Sequence, residues 1–257
     1  MGSNKIMESY IICSTPRTGS TLLCDLLAST GVAGDPDSFF MHDVDPVWAR
    51  RWRLPARDGL REAEYCAAYL RAAITAGRGA TPIMGLRLMR ENLDDLSAMI
   101  DTVYPGLPSD RDRLQAAFGE ILYIHLTRED KLAQAVSLVR AEQSGLWHMA
   151  PDGTELERMA PPREPEYDFH RIGAKLAELE RFDAGWRSWF EDQGIVPLKV
   201  GYEPLSETPA EAVGRICRSL GVPEPEAGSL KANVAKLSDA TNAEWVRRYR
   251  AEADLVT

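Results

Sequence analysis

Arg17 stands in the turn Ser14-Thr15-Pro16-Arg17-Thr18-Gly19-Ser20-Thr21, among hydroxyls and between a proline and a glycine. One short segment thus offers a guanidinium, several hydroxyls and backbone N–H groups freed by the turn. That combination suits an anion, phosphate above all. Arg87 comes near the end of one apolar run, and Arg128 lies just past another. Ser137 lies about two and a half helical turns beyond Arg128. A guanidinium able to bind through two N–H groups, with a hydroxyl nearby, suits a phosphate monoester. The turn Asp35-Pro36-Asp37-Ser38-Phe39-Phe40 supplies carboxylates that can accept a proton, and His42 follows it. These groups also have plainer uses. Arg87 and Arg128 can close salt bridges, Ser137 can simply pack, and exposed aspartates often do no more than solvate a loop.

The elements around these residues place them. Tyr10 to Cys13 is a short apolar run of the buried-strand kind, and from Ser20 the pattern turns helical. Leu22, Leu23, Leu26 and Leu27 form one stripe. Strand, tight turn and helix leave unpaired N–H groups at a helix start. Against the nucleotide-triphosphatase loop GxxxxGK[ST], Ser14 holds the first glycine position, Gly19 the second, Ser20 the lysine position and Thr21 the hydroxyl. The lysine that reaches the β- and γ-phosphates is missing. The turn is therefore built for an anion and poorly built for Mg-ATP. A small-molecule P-loop kinase stays the rival enzyme reading.

Further along, Pro82 to Met89 reads as a second strand, Ile121 to Leu126 as a third and Ile195 to Val200 as a fourth. Helices are expected over Gly59–Thr75, Leu93–Val103, Arg111–Phe118, Lys131–Gln143, Tyr167–Gln193 with Gly185 as a breaking point, Ala210–Leu220 and Ala243–Glu252. Apolar strands feeding helices argue an α/β fold of three layers with a mainly parallel sheet. Ligands then sit beyond the carboxyl ends of the strands, where Arg87 falls. Met41 to Arg57 reads as a loop and short helix, a candidate acceptor wall. Prolines and charges make Leu146 to Glu166 a long loop. Trp147 opens that loop and can stack on a sugar or pack.

Thr15 to Thr21 resembles the 5′-phosphosulfate loop of sulfotransferases that use 3′-phosphoadenosine 5′-phosphosulfate (PAPS). The nearest likeness is to bacterial carbohydrate sulfotransferases of the trehalose type. It continues through Gly31 to Gly34 with Phe39-Phe40, His125 to Arg128 with Gln134 to Ser137, and Glu244 to Tyr249. The resemblance implies a P-loop-like fold. It implies that Pro16, Arg17, Thr18, Gly19, Ser20 and Thr21 hold the phosphosulfate end, and that Arg128 and Ser137 hold the 3′-phosphate. Lys236 falls nearest a basic residue that faces the nucleotide. In the family a Glu just before the aromatic pair is the general base, and Ser38 stands there in this chain. A hydroxyl cannot take a proton at neutral pH, so Asp37, then Asp35 or His42, is expected to act. Asp35, Ser38, Phe39 and Trp147 are the expected acceptor contacts, and Arg17 is expected to meet the charge that builds in transfer. The same departure leaves a catalytically silent, nucleotide-binding relative open.

The chain has 257 residues, 44% of them hydrophobic, which fits one domain over 1–257 with a loop-rich excursion around 146–166. Net charge −9 argues against a general nucleic-acid binder. Cys13, Cys24, Cys66 and Cys217 are scattered without metal-site spacing, so no metal is expected and the thiols read as reduced and cytoplasmic. No apolar run approaches the ~20 residues of a membrane span. Met1 to Ser9 reads as a polar leader. The expected partners are the acceptor, a sugar or glycolipid, and, from the resemblance, a second copy in a homodimer.

Overall fold

The computed structural model describes residues 7–41, 46–226, 228–235 and 239–256. Strand β1 (Ser9–Ser14) is buried along its whole length. Its alternation sends Ile11 and Cys13 to one face of a sheet and Tyr10 and Ile12 to the other. β2 (Met84–Met89) and β3 (Ile121–Thr127) pair with it on either side, and β6 (Leu198–Gly201) pairs with β3. All three pairings are parallel, in the order β2-β1-β3-β6. The chain leaves β1 for one neighbour and later returns to the other, so the strand order reverses beside β1. Ligand crevices of open α/β sheets form at such a point.

Helices cover both faces. α1 (Ser20–Ser29) and α9 (Pro209–Leu220) pack with Tyr10, Ile12, Ile124 and Val200. On the other face lie α3 (Glu62–Arg78), α4 (Leu93–Val103), α5 (Asp110–Phe118) and the end of α7 (Phe169–Asp192). A third apolar cluster joins α6 (Lys131–Ser144), α7 and α10 (Ala240–Val256). Short helices α2 (Pro46–Arg51) and α8 (Tyr202–Glu207) complete the set described. The sheet order and the helices on its faces match the layered α/β fold expected from the strand runs.

Three expectations change. Residues 146–166 are not all loop: β4 (Leu146–Met149) and β5 (Glu155–Arg158) form an antiparallel hairpin. Its turn is closed by Ala150 N–H on the Thr154 carbonyl at 2.7 Å and Thr154 N–H on Asp152 Oδ1 at 2.9 Å. Nor does α7 break at Gly185. A side chain there would meet Arg90 Nε at 3.1 Å, so the glycine makes room for a neighbour within an unbroken helix. The first long helix starts at Glu62 rather than Gly59, because Arg57–Gly59 is a separate 3₁₀ turn.

Candidate functional site

The turn after β1 is held from below and behind. Trp186 donates its indole N–H to the Ser14 carbonyl at 2.9 Å. Gln134 on α6 donates to Thr15 Oγ1 at 3.0 Å and to the Pro16 carbonyl at 2.6 Å. Thr18 turns its hydroxyl back to the Thr15 carbonyl at 2.9 Å. So pinned, the chain takes φ of 64° at Arg17 and 82° at Gly19. A non-glycine residue in that region costs about 1–3 kcal/mol and persists only where its surroundings over-determine it. Gly19 has no substitute, since a Cβ there would lie 2.5 Å from the Tyr202 ring. α1 then begins with no side-chain cap and no acidic residue in its first turn. Gly19, Ser20, Thr21 and Leu22 line a cavity of about 420 Å³. The bare helix start thus turns its N–H groups and positive dipole end toward that cavity.

Arginines from separate elements meet there. Arg17 Nε donates to Ser137 Oγ at 3.1 Å, and its Nη1 donates to the Trp147 carbonyl at 2.7 Å. Burial, then the nearby Arg128 charge, pulls the Arg17 pKa down to about 10, so it stays cationic at neutral pH. Arg128 follows β3 and lies over the Tyr202 ring, 4.6 Å from its centroid. Its Nη1 reaches the Arg17 carbonyl at 3.4 Å, while its buried Nε has no partner among the described residues. A buried donor left unmatched is costly, and Arg128 lines the same cavity as the uncapped start of α1. Arg87 donates Nε to Ser38 Oγ at 2.7 Å, Nη1 to Thr21 Oγ1 at 2.6 Å and Nη2 to Asp37 Oδ1 at 3.3 Å. These arginines lie at the carboxyl edge of the sheet, as the fold argument requires.

The hairpin closes one side. His148 on β4 places Nε2 3.1 Å from Thr21 Oγ1 and 3.3 Å from Glu157 Oε2 on β5. Burial, then the charges of Arg17 and Arg87, lowers the His148 pKa to about 4. Ala235 N–H binds the Met149 carbonyl at 2.7 Å, and Asp25 on α1 accepts from the N–H groups of Asn233 and Val234. Residues 233–235 are thereby tied both to the hairpin and to α1. A second cavity, of about 560 Å³, shares Arg17 and Ser137 with the first and is lined also by Arg140, Arg158 and Arg163.

Of the residues singled out from sequence, Pro16, Arg17, Gly19, Ser20, Thr21, Ser38, Arg128, Ser137 and Trp147 line one cavity. Thr18 is buried beneath it and serves the turn. Phe39 is corrected as an acceptor contact. It is only 2% exposed, packs against Trp48 and Trp52, and gives its carbonyl to the Tyr69 hydroxyl at 2.6 Å. It clamps the turn instead. Trp48 does the same through its indole N–H on the Ser38 carbonyl at 3.0 Å, so the stretch read as an acceptor wall is partly clamp. The Trp147 side chain packs against the buried cluster that joins α6, α7 and α10, and its carbonyl holds Arg17. Asp35 is corrected as a base. The parallel bridge of Asp37 to Leu86 puts Asp35 two residues toward the amino end of β2, exposed and beside Gly77, away from the site. Asp37 stands at the rim, where Oδ1 accepts from both Arg87 Nη2 and Ser38 N–H. Lys236 and His42 lie outside the described residues.

Glu157 and Tyr202 are site residues that sequence reasoning passed over. Pro151-Asp152-Gly153 is a turn signal that marks a hairpin and hence a residue facing His148. Tyr202 had a signal in its place at the end of a strand. Among the described residues no three His, Cys, Asp or Glu side chains gather as a metal site, and no helix is long and apolar enough to cross a membrane.

Residues 9–252 match the family model described as Stf0 sulphotransferase. The chain is 29% identical to a trehalose 2-sulfotransferase of Mycobacterium tuberculosis (strain ATCC 35801 / TMC 107 / Erdman), over 97% of each chain. It is 29% identical to a trehalose 2-sulfotransferase of Mycolicibacterium smegmatis (strain ATCC 700084 / mc(2)155), over 95% of each. A solved sulfotransferase domain from the curacin biosynthetic pathway matches its fold with a TM-score of 0.52 at 16% identity, covering 94% of this chain and 83% of that one.

Proposed function

The chain belongs to the Stf0 sulphotransferase family, and from that premise we propose that it moves the sulfuryl group of PAPS to a hydroxyl of a carbohydrate or glycolipid. Trehalose, the sugar in the names of its mycobacterial relatives, is the first acceptor to try. The observation that carries the reading is the meeting of Arg17, Arg87 and Arg128 around the uncapped start of α1. Together they make a cavity for a ligand with several anionic groups.

In this reading the N–H groups from Gly19 to Thr21, with Arg17 and Arg87, face the phosphosulfate end. Charge that builds on the bridging and equatorial oxygens during transfer is met by donors already in place. Arg128 and Ser137 take the 3′-phosphate, with the spare Nε of Arg128 as one donor. Tyr202, already under the Arg128 guanidinium, offers a ring face to the adenine. Asp37 steadies Arg87. We also read the protein as cytoplasmic, where its free, buried thiols stay reduced, and as a homodimer by likeness to its relatives.

The test is calorimetric titration with 3′-phosphoadenosine 5′-phosphate (PAP) and with AMP, then mass spectrometry of trehalose incubated with PAPS and the protein. PAP should bind more tightly than AMP, and Arg128→Ala and Ser137→Ala should remove that difference. Equal affinity for the two nucleotides, or binding of Mg-ATP in preference to both, would defeat the reading.

A further inference from the structure

A sulfuryl acceptor must lose a proton, and the turn that carries the family's base has lost its carboxylate at Ser38. The Ser38 hydroxyl accepts from Arg87 Nε. Asp37 has Oδ1 engaged twice at the rim, and Asp35 lies off the cleft. The titratable side chains that do line the cavity, besides its arginines and Tyr202, are His148, Glu157 and Glu91. Of these, His148 reaches the start of α1 directly, at Thr21 Oγ1.

We propose that His148 accepts the acceptor's proton at Nε2 and that Glu157 is its positioning residue. The inference rests on the sulfuryl-transfer reading and assigns the acid–base work within it. The tautomer of His148 that carries its proton on Nδ1 keeps a lone pair at Nε2, the nitrogen that faces Thr21. Arg87 has only donors, so Thr21 Oγ1 accepts from Nη1, which leaves the Thr21 hydroxyl proton to be given onward. His148 Nε2 lies 3.1 Å away and accepts it in that tautomer. When an acceptor hydroxyl enters, the same lone pair takes its proton. The acceptor oxygen forms its bond to sulfur, the bond from sulfur to the bridging oxygen breaks, and that electron pair leaves with the nucleotide phosphate. The new imidazolium then has Glu157 Oε2 3.3 Å from Nε2, and that carboxylate charge stabilises it.

The charges around the ring make this a coupled device. Arg17 from the turn and Arg87 from β2 disfavour the imidazolium, Glu157 from β5 favours it, and Thr21 from α1 is neutral. An anionic nucleotide against Arg17 and Arg87 offsets the first two and leaves Glu157 unopposed. His148 is therefore a poor base in the free chain and a better one once the donor is bound.

Two measurements decide it. The first follows the histidine ring signals of the whole chain by NMR across pH, with His148 identified by its loss in His148→Gln. The His148 midpoint should lie near 4 in the free chain and rise when PAP saturates the site. A midpoint that does not move would overturn the proposal. The second measures transfer from PAPS to trehalose beside PAP affinity. His148→Gln should lose about 10²–10⁴-fold in rate with PAP affinity kept. Glu157→Gln should lose less and carry the acid limb of the rate profile to lower pH, since it removes the carboxylate that favours the imidazolium. Full rate in His148→Gln, a rate loss that only tracks lost affinity, or the large loss appearing in Glu91→Gln or Asp37→Asn instead would overturn it. Failure of the unchanged chain to bind PAP is the separate outcome that removes the sulfuryl-transfer reading and this proposal with it.

Discussion

Arg87 shows what one side chain can organise. Its guanidinium joins the acidic turn, through Asp37 and Ser38, to Thr21 at the start of α1. A lysine cannot hold three partners in one plane. Arg87→Lys should therefore lower transfer nearly as far as Arg87→Ala, and both should weaken PAP; steady-state kinetics beside calorimetry checks this. Arg17 is read through the transition state. Loss of one charge-assisted donor in a dry site costs about 10²–10³-fold in rate, so Arg17→Ala should fall by that much. Unchanged turnover would take the turn out of the mechanism. Gly19 is read through sterics. A φ of 82° alone costs a non-glycine residue about 1–2 kcal/mol, and the Tyr202 ring would also have to move. Gly19→Ala should lower the unfolding midpoint and weaken PAP together. A variant that binds PAP normally would show that the turn and Tyr202 can part without loss.

At the scale of elements, what is local in sequence was legible and what is assembled was not. β1, its turn and α1 could be read from a short window, because apolar runs, hydroxyls and glycine specify them in place. The strand ends were legible too, so Arg87, Arg128 and Ser137 fell where expected. The hairpin was hidden because its prolines and charges look like loop. Its strands bury little, and Trp147, its apolar anchor, packs against α6 and α7 residues distant in sequence. The line Arg87–Thr21–His148–Glu157 draws on four elements, and no spacing encodes it. The clamp on Phe39 was half legible, since the aromatic pair announced it, while its partners Tyr69 and Trp48 did not. If Trp147 anchors the hairpin, Trp147→Ala should cost about 1–3 kcal/mol for a partly buried side chain. Its effect should appear as faster amide exchange over 146–158 than over β1. Uniform loss of protection across the chain would mean the hairpin unfolds only with everything else.

For the whole molecule one pH lever is a pair of histidines held neutral. His125 on β3 is 4% exposed, packs edge-on against Phe190, and faces Asp183, Arg187, Lys131 and Lys199. Burial is the main reason its pKa falls to about 4, as it is for His148. In the unfolded chain both return to about 6.5. Between those values the unfolded state binds protons that the folded state refuses, so stability rises with pH across that window and falls as acid is added. The loss begins near pH 6.5 and is largely complete near 4. For His125 it amounts to about 3 kcal/mol at about 1.4 kcal/mol per unit; His148, at the cleft, adds less. That is a large share of the roughly 5–15 kcal/mol by which folded chains are stable. Urea unfolding from pH 7 to 4.5 should show it as a falling midpoint with a steady slope against denaturant. His125→Gln removes the proton site, so it should start less stable at pH 7 yet lose less on acidification. A parallel fall in both proteins would place the acid sensitivity in the carboxylates instead.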